Sequence, residues 1–265
     1  MKTVAFSSLA VMCLTLFVSC KDEPKTNIEI EPEISTTEKD LAIADDSFES
    51  VEDSETTFLY VTAYTGLSLR EYNNLQSEKL AIMPYGTKVK VLSPEGKGTM
   101  TVGGIKGGMD QVEFNHKKGY AFNGYLSRFF PPEKDISSKG YSLELKEVFP
   151  DVIYTETTGG TASNPTTTQT LTLPKGKWHE AYFIAQRLFE IPGEFTFPTQ
   201  KGIQKQTLQD SKPKKGVWTS ELQITRNDNA LQKIEYVYKS KKFDSNVIVT
   251  VKGDIATISK TEIIK

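Results

Sequence analysis

From residue 58 onward, apolar and polar positions alternate at period two along much of the chain. Phe58-Leu59-Tyr60-Val61-Thr62-Ala63 is rich in aromatic and β-branched residues, and Leu67 and Leu69 then alternate with Ser68 and Arg70. Both are marks of half-buried strands. Leu80-Ala81-Ile82-Met83 stops at the turn signal Pro84-Tyr85-Gly86, and Lys88-Val89-Lys90-Val91 alternates again. A loop carrying Gly96, Gly98, Gly103, Gly104, Gly107 and Gly108 leads to Gln111–Phe114, a turn at Asn115–Lys118, and Gly119–Phe122. Short strands this close together predict a small five-stranded barrel over 57–131, closed or nearly closed.

Pro131-Pro132-Glu133-Lys134 reads as a stiff joint before residues 132–265. Tyr141–Val148, with Leu143 and Leu145 on one face, and Val152–Thr157 read as strands. Gly159–Thr168 reads as a loop, and Leu171-Thr172-Leu173 alternates before the turn Pro174-Lys175-Gly176-Lys177. A helix follows, because Trp178, Ala181, Tyr182, Ala185, Leu188 and Phe189 share one face at spacings of three and four. Pro192-Gly193 stops it. Residues 199–216 read as a polar loop holding Lys201, Lys205, Lys212, Lys214 and Lys215. From Val217 the pattern is a meander, with turns at Arg226–Asn229, Lys241–Asn246 and Lys252–Asp254. The predicted class is mainly β with α+β, the second half being one main helix on a three- or four-stranded antiparallel sheet.

Composition narrows the setting. Apolar residues make up 37% and charged residues 25% of the 265, which excludes a multispan membrane protein. Two cysteines exclude a disulfide-stapled mini-protein. Charge is uneven: residues 21–56 hold three lysines against thirteen acids, a net of −10, whereas 57–265 hold 28 basic and 21 acidic residues, a net of +7. The acidic stretch has no helical or strand period and reads as an extended, disordered tether over 20–56.

Ahead of it, Met1-Lys2 and the apolar run Val4–Val18 suit an export signal over 1–19. The run ends Phe17-Val18-Ser19-Cys20 and resembles the bacterial lipoprotein box. That resemblance implies cleavage before Cys20 and acylation there, which would hold the protein at a membrane. Lys21-Asp22-Glu23 is similar to the signal that carries some Gram-negative lipoproteins to the outside of the outer membrane. The expected location is the outer membrane, on its periplasmic or surface-exposed face.

Three segments carry a second likeness: Val61-Thr62-Ala63 with Gly66–Arg70, then Met83–Leu92, then Gly119–Ser127. In order and spacing they resemble the bacterial Src-homology-3 domain. The resemblance implies a barrel that binds cell-wall peptide or another extended protein segment. Two positions depart from it: Glu71–Leu75 replaces a Gly-Pro loop, and Met109-Asp110 stands where a platform tryptophan is common. A tyrosine offers a flat ring and a hydroxyl at small entropic cost. Tyr72, in the loop after the second strand, Tyr85, in the turn, and Tyr125, which the resemblance puts at a groove edge, are therefore the candidate ligand-binding residues.

Little points to catalysis. His116 reads as a turn residue and His179 as part of the first helical turn, and once Cys20 is acylated no thiol remains. There is no Gly-x-Ser-x-Gly elbow and no phosphate loop. No metal or cofactor is expected, and the 199–216 lysines lack the interleaved aromatics of a nucleic-acid surface. The expected function is a lipid-anchored, non-enzymatic binding protein of the cell envelope. The alternatives are a structural subunit of an envelope complex and, behind it, a hydrolase using two carboxylates.

Overall fold

The computed structural model describes residues 57–265. The signal at 1–19, Cys20 and the acidic segment 20–56 lie outside the described residues.

The first half supplies β1 (Phe58–Val61), β2 (Leu67–Arg70), β3 (Lys79–Met83), β4 (Lys88–Ser93), β5 (Met100–Val102), β6 (Ile105–Gly107), β7 (Met109–Phe114), β8 (Lys117–Phe122) and β9 (Leu126–Ser127). Seven of these form one antiparallel sheet in the order β3-β2-β8-β7-β4-β1-β9. The order is open, with β3 and β9 as edges, so the predicted closed five-stranded barrel is corrected to an open seven-stranded sheet. The sequence does not predict β9, which is two residues long and too short to show a period; it pairs Leu126 with Val61. The glycine-rich loop holds a separate hairpin, β5–β6. β2 meets β8 through the single pair Arg70 and Tyr120. A Cβ on neighbouring Gly119 would stand 2.6 Å from the Arg70 carbonyl oxygen, so glycine is what lets these strands approach. Val61, Leu67, Leu69, Met83, Val89, Val112 and Leu126 fill the core beneath.

The second half supplies α1 (Ser138–Val148), β10 (Ile153–Gly160), β11 (Pro165–Pro174), α2 (Trp178–Leu188), β12 (Lys205–Gln209), β13 (Val217–Asn227), β14 (Ala230–Ser240), β15 (Phe243–Lys252) and β16 (Ile255–Ile264). Its antiparallel sheet has seven strands, ordered β10-β11-β16-β15-β14-β13-β12, in place of the three or four predicted. Leu222 and Ile224, Ile234 and Tyr236, Val247 and Val249, Ala256 and Ile258, and Leu171 and Leu173 form one buried face across paired strands. The opposite face is polar, with Thr168 bonded to Thr261 and Thr170 to Ser259 through their hydroxyls.

Three further expectations are corrected. Tyr141–Val148 is not a strand but most of α1, a second helix where one was predicted. Tyr141 and Leu145, four apart, are fully buried, while Leu143 is 57% exposed. Ser137 caps the helix by accepting the Gly140 N–H at 3.0 Å, which favours this period over alternation. Gly159–Thr168 is not a loop but belongs mostly to the β10–β11 hairpin, which pairs from Ile153–Thr172 to Gly160–Pro165. Its threonines favour strand, but they leave no apolar alternation to read. Within 199–216, Lys205–Gln209 is a polar edge strand on β13. Buried Arg226 holds the approach to it, donating to the Thr199 and Ile203 carbonyls and to Gln206 Oε1.

The halves belong to one packed unit. Tyr141 donates its hydroxyl to the Phe130 carbonyl at 2.7 Å, Phe129 meets Phe149 edge-on, and the Arg128 N–H donates to Glu180 Oε1 at 3.3 Å. These contacts bring α2 against the first sheet.

Candidate functional site

A cleft of about 510 Å³ opens between the first sheet and α2. The single-turn helix Asn123–Tyr125 before β9 shapes one wall. A Cβ on Gly124 would lie 2.3 Å from the Phe122 ring, so only glycine lets this turn fold over Phe122 and present Tyr125. The Tyr125 ring meets Phe122 edge-on at 5.8 Å and stacks on Phe183 of α2 at 5.8 Å and 27°. Burial raises the pKa of its phenol. On the other wall Tyr85 donates its hydroxyl to the Pro132 carbonyl at 3.2 Å and lies 5.8 Å from Tyr64. Burial pushes the Tyr85 phenol up to about 12, with the Arg187 charge pulling the other way.

The Arg187 guanidinium sits over the rings of Tyr64 and Tyr85, at 5.6 and 6.0 Å from their centroids. Among the described residues no carboxylate pairs with it and no group hydrogen-bonds to it. Its Nε is buried without a partner, and so is Oγ1 of Thr62, which lines the same cleft. The Thr62 N–H donates to the Tyr125 carbonyl at 2.9 Å, locking that residue to the turn. Glu190 is the one acid in the lining, and it faces Lys214 at 3.8 Å.

A second hollow of about 310 Å³ shares Ala63, Tyr64, Thr65 and Tyr125 and runs on to Arg70, Met109 and Phe122. The two hollows adjoin along these shared residues. Two of the three predicted tyrosines, Tyr85 and Tyr125, therefore meet in one site. Tyr72 does not join them. It is 58% exposed, and its backbone is tied to Ser77, whose hydroxyl bonds both its N–H and its carbonyl.

Sequence reasoning missed Tyr64, Phe183 and Arg187. The available signal was on α2, where Phe183 and Arg187 stand four apart outside the apolar stripe. An aromatic on a helix's polar side marks a second contact surface.

At the position of the expected platform tryptophan, Asp110 is buried and organises the loop instead. Its Oδ1 accepts the Glu95 N–H and the Asn123 side-chain amide, both at 2.8 Å. Asn123 Oδ1 accepts the Gly108 N–H at 2.9 Å, and Glu95 in turn accepts the Met109 N–H. His179 packs edge-on against Phe197, and burial, helped by Lys177, lowers its pKa to about 4. It is neutral at pH 7. His116 is exposed in the β7–β8 turn at φ +61°. Among the described residues no group of three or more His, Cys, Asp or Glu converges to hold a metal. No family model matches the chain, and no curated protein or solved structure matches it either.

Proposed function

We propose that this is a lipid-anchored, non-catalytic binding protein of the bacterial cell envelope. Its first half is a divergent relative of the bacterial Src-homology-3 domain, and its cleft holds an extended peptide that presents a carboxylate to Arg187. Peptides of peptidoglycan and carboxylate-bearing protein segments both have that chemistry.

The observation that carries this reading is the unpaired Arg187 between two tyrosine rings. An unsatisfied buried donor costs about 1–3 kcal/mol, and native proteins leave few of them unexplained. A carboxylate bridging Nε and the adjacent terminal amine of the guanidinium would satisfy that donor in a bidentate pair of the kind that arginine favours. Tyr64, Tyr85 and Tyr125 would supply flat contact area along the peptide. The Src-homology-3 relationship is supported by the order and spacing of the quoted segments.

The test is retention of the full chain on purified wall sacculi, with Arg187→Ala and Tyr125→Ala beside it. Losing one charge-assisted pair is worth about 1.5–3 kcal/mol, so Arg187→Ala should weaken retention roughly tenfold or more. No retention of the unaltered protein above a bead control overturns wall peptide as the ligand. Retention that ignores Arg187→Ala overturns the cleft as its site.

A further inference from the structure

The second half holds a separate cavity of about 430 Å³ on the buried face of its sheet, between the end of α2 and strands β13–β16. It shares only Glu190 with the aromatic cleft. The volume is within the range of small-ligand sites.

Its floor is a hydrogen-bonded chain. Asp210 Oδ2 accepts the Ser220 hydroxyl at 2.7 Å, and Ser220 Oγ lies 3.0 Å from the Tyr236 hydroxyl. Hydrogen bonds from Ser220 and the Lys212 N–H outweigh the effect of burial and lower the Asp210 pKa. An ionised carboxylate only accepts, so the Ser220 proton is committed to Asp210. Tyr236 must then donate to Ser220, which leaves the phenol oxygen's own lone pairs free. Ser220 and Tyr236 are 6% and 5% exposed, so this order is held inside the protein. The floor thus offers an acceptor to a ligand hydroxyl.

The walls are of another kind. Tyr238 and Phe243 stack at 5.2 Å and 25°, and the Lys260 ammonium sits over Phe189 at 5.7 Å while pairing with Glu262 at 2.8 Å. An aromatic pair beside a row of hydroxyls suits a ring that is apolar on its faces and hydroxylated at its edge. Charge discriminates further: Glu190 and Asp210 balance Lys214 and Lys260 in the lining. Lys214 and Lys260 are already paired, with Glu190 and Glu262, so neither lining cation is left for a phosphate or carboxylate and a neutral ligand is favoured.

We propose that this cavity binds an uncharged sugar ring, with a sugar hydroxyl donating to the Tyr236 oxygen and the ring packing against the stacked Tyr238–Phe243 pair. The site is independent of the peptide cleft.

The experiment is titration of the full chain with two neutral probes, the N-acetylglucosamine tetramer and the maltose-type glucose tetramer, followed by calorimetry. At least one should bind saturably at millimolar concentration. Tyr236→Phe keeps the ring and removes the oxygen, so it should weaken binding roughly tenfold, the loss of about one hydrogen bond. Arg187→Ala should leave it unchanged. Tyr238→Ala, which removes a wall ring, serves the same purpose if Tyr236→Phe does not fold. Absence of binding by both probes overturns the proposal, and so does binding that ignores the Tyr236 and Tyr238 changes.

Discussion

Replacing Asp110 by alanine tests the loop network under the groove. Asp110 is 4% exposed, and its Oδ1 alone serves two donors, the Glu95 N–H and the Asn123 amide. Alanine leaves both without an acceptor, at about 1–2.5 kcal/mol each, within the usual range for an unsatisfied buried donor, so the folded state should lose about 2–5 kcal/mol. Asparagine keeps a carbonyl oxygen at the Oδ1 position, and no hydrogen bond is made by Oδ2. Asp110→Asn should therefore cost about 1 kcal/mol or less, the difference between a charged and a neutral acceptor. Urea unfolding followed by circular dichroism separates the two. With a slope of roughly 2 kcal/mol per molar, the alanine midpoint should fall by about 1–2.5 M and the asparagine midpoint by less than about 0.5 M. Equal midpoints for the two variants would refute the network.

Two other outcomes follow from burial. His179 is held near 4 against an ordinary 6.5, so the unfolded chain binds the proton better between those values. Stability should be complete above pH 6.5 and fall by about 3 kcal/mol as pH drops through 6.5 to 4. His179→Gln should remove this part of the slope in urea midpoints taken at pH 5 and 7.5, and an unchanged slope would show that the imidazole is not the source. In α1, Leu145→Ala should cost about 2–5 kcal/mol and Leu143→Ala less than about 0.5 kcal/mol. Equal losses in thermal melts would restore the strand reading, in which both share a face.

Elements whose apolar residues repeat cleanly were legible in the chain. α2 shows its stripe from Trp178 to Phe189, and β13–β16 show theirs through Leu222, Ile234, Val247 and Ile258. Failures fall where burial is carried by few residues or by none that are apolar. α1 buries Tyr141 and Leu145 but leaves Leu143 and Val148 in solvent, so a short window shows Leu143 and Leu145 as false alternation. β10 reads as a strand as far as Thr157 but runs on to Gly160, and neither its end nor the facing Pro165–Thr168 of β11 buries a residue that would mark it. β12 is an edge strand set by Arg226, a residue 17 positions beyond its end, and no local pattern reports such a partner.

The site was half legible for a related reason. Tyr85 and Tyr125 sit in turns, where a large aromatic has no local packing role and so draws notice. Phe183 and Arg187 sit on a helix, where they pass for ordinary surface residues until the first sheet is placed against them. That placement depends on contacts between the halves, Tyr141 to Phe130 and Phe129 to Phe149, which no periodicity reports. One consequence concerns what residues 57–131 can do alone. Without α2 they lack the stacking partner of Tyr125 and the only guanidinium over Tyr64 and Tyr85. They would keep the tyrosines and lose the charge proposed to select a ligand. The proposed peptide binding thus requires the joined halves, the first half supplying the aromatic walls and the turn that presents Tyr125.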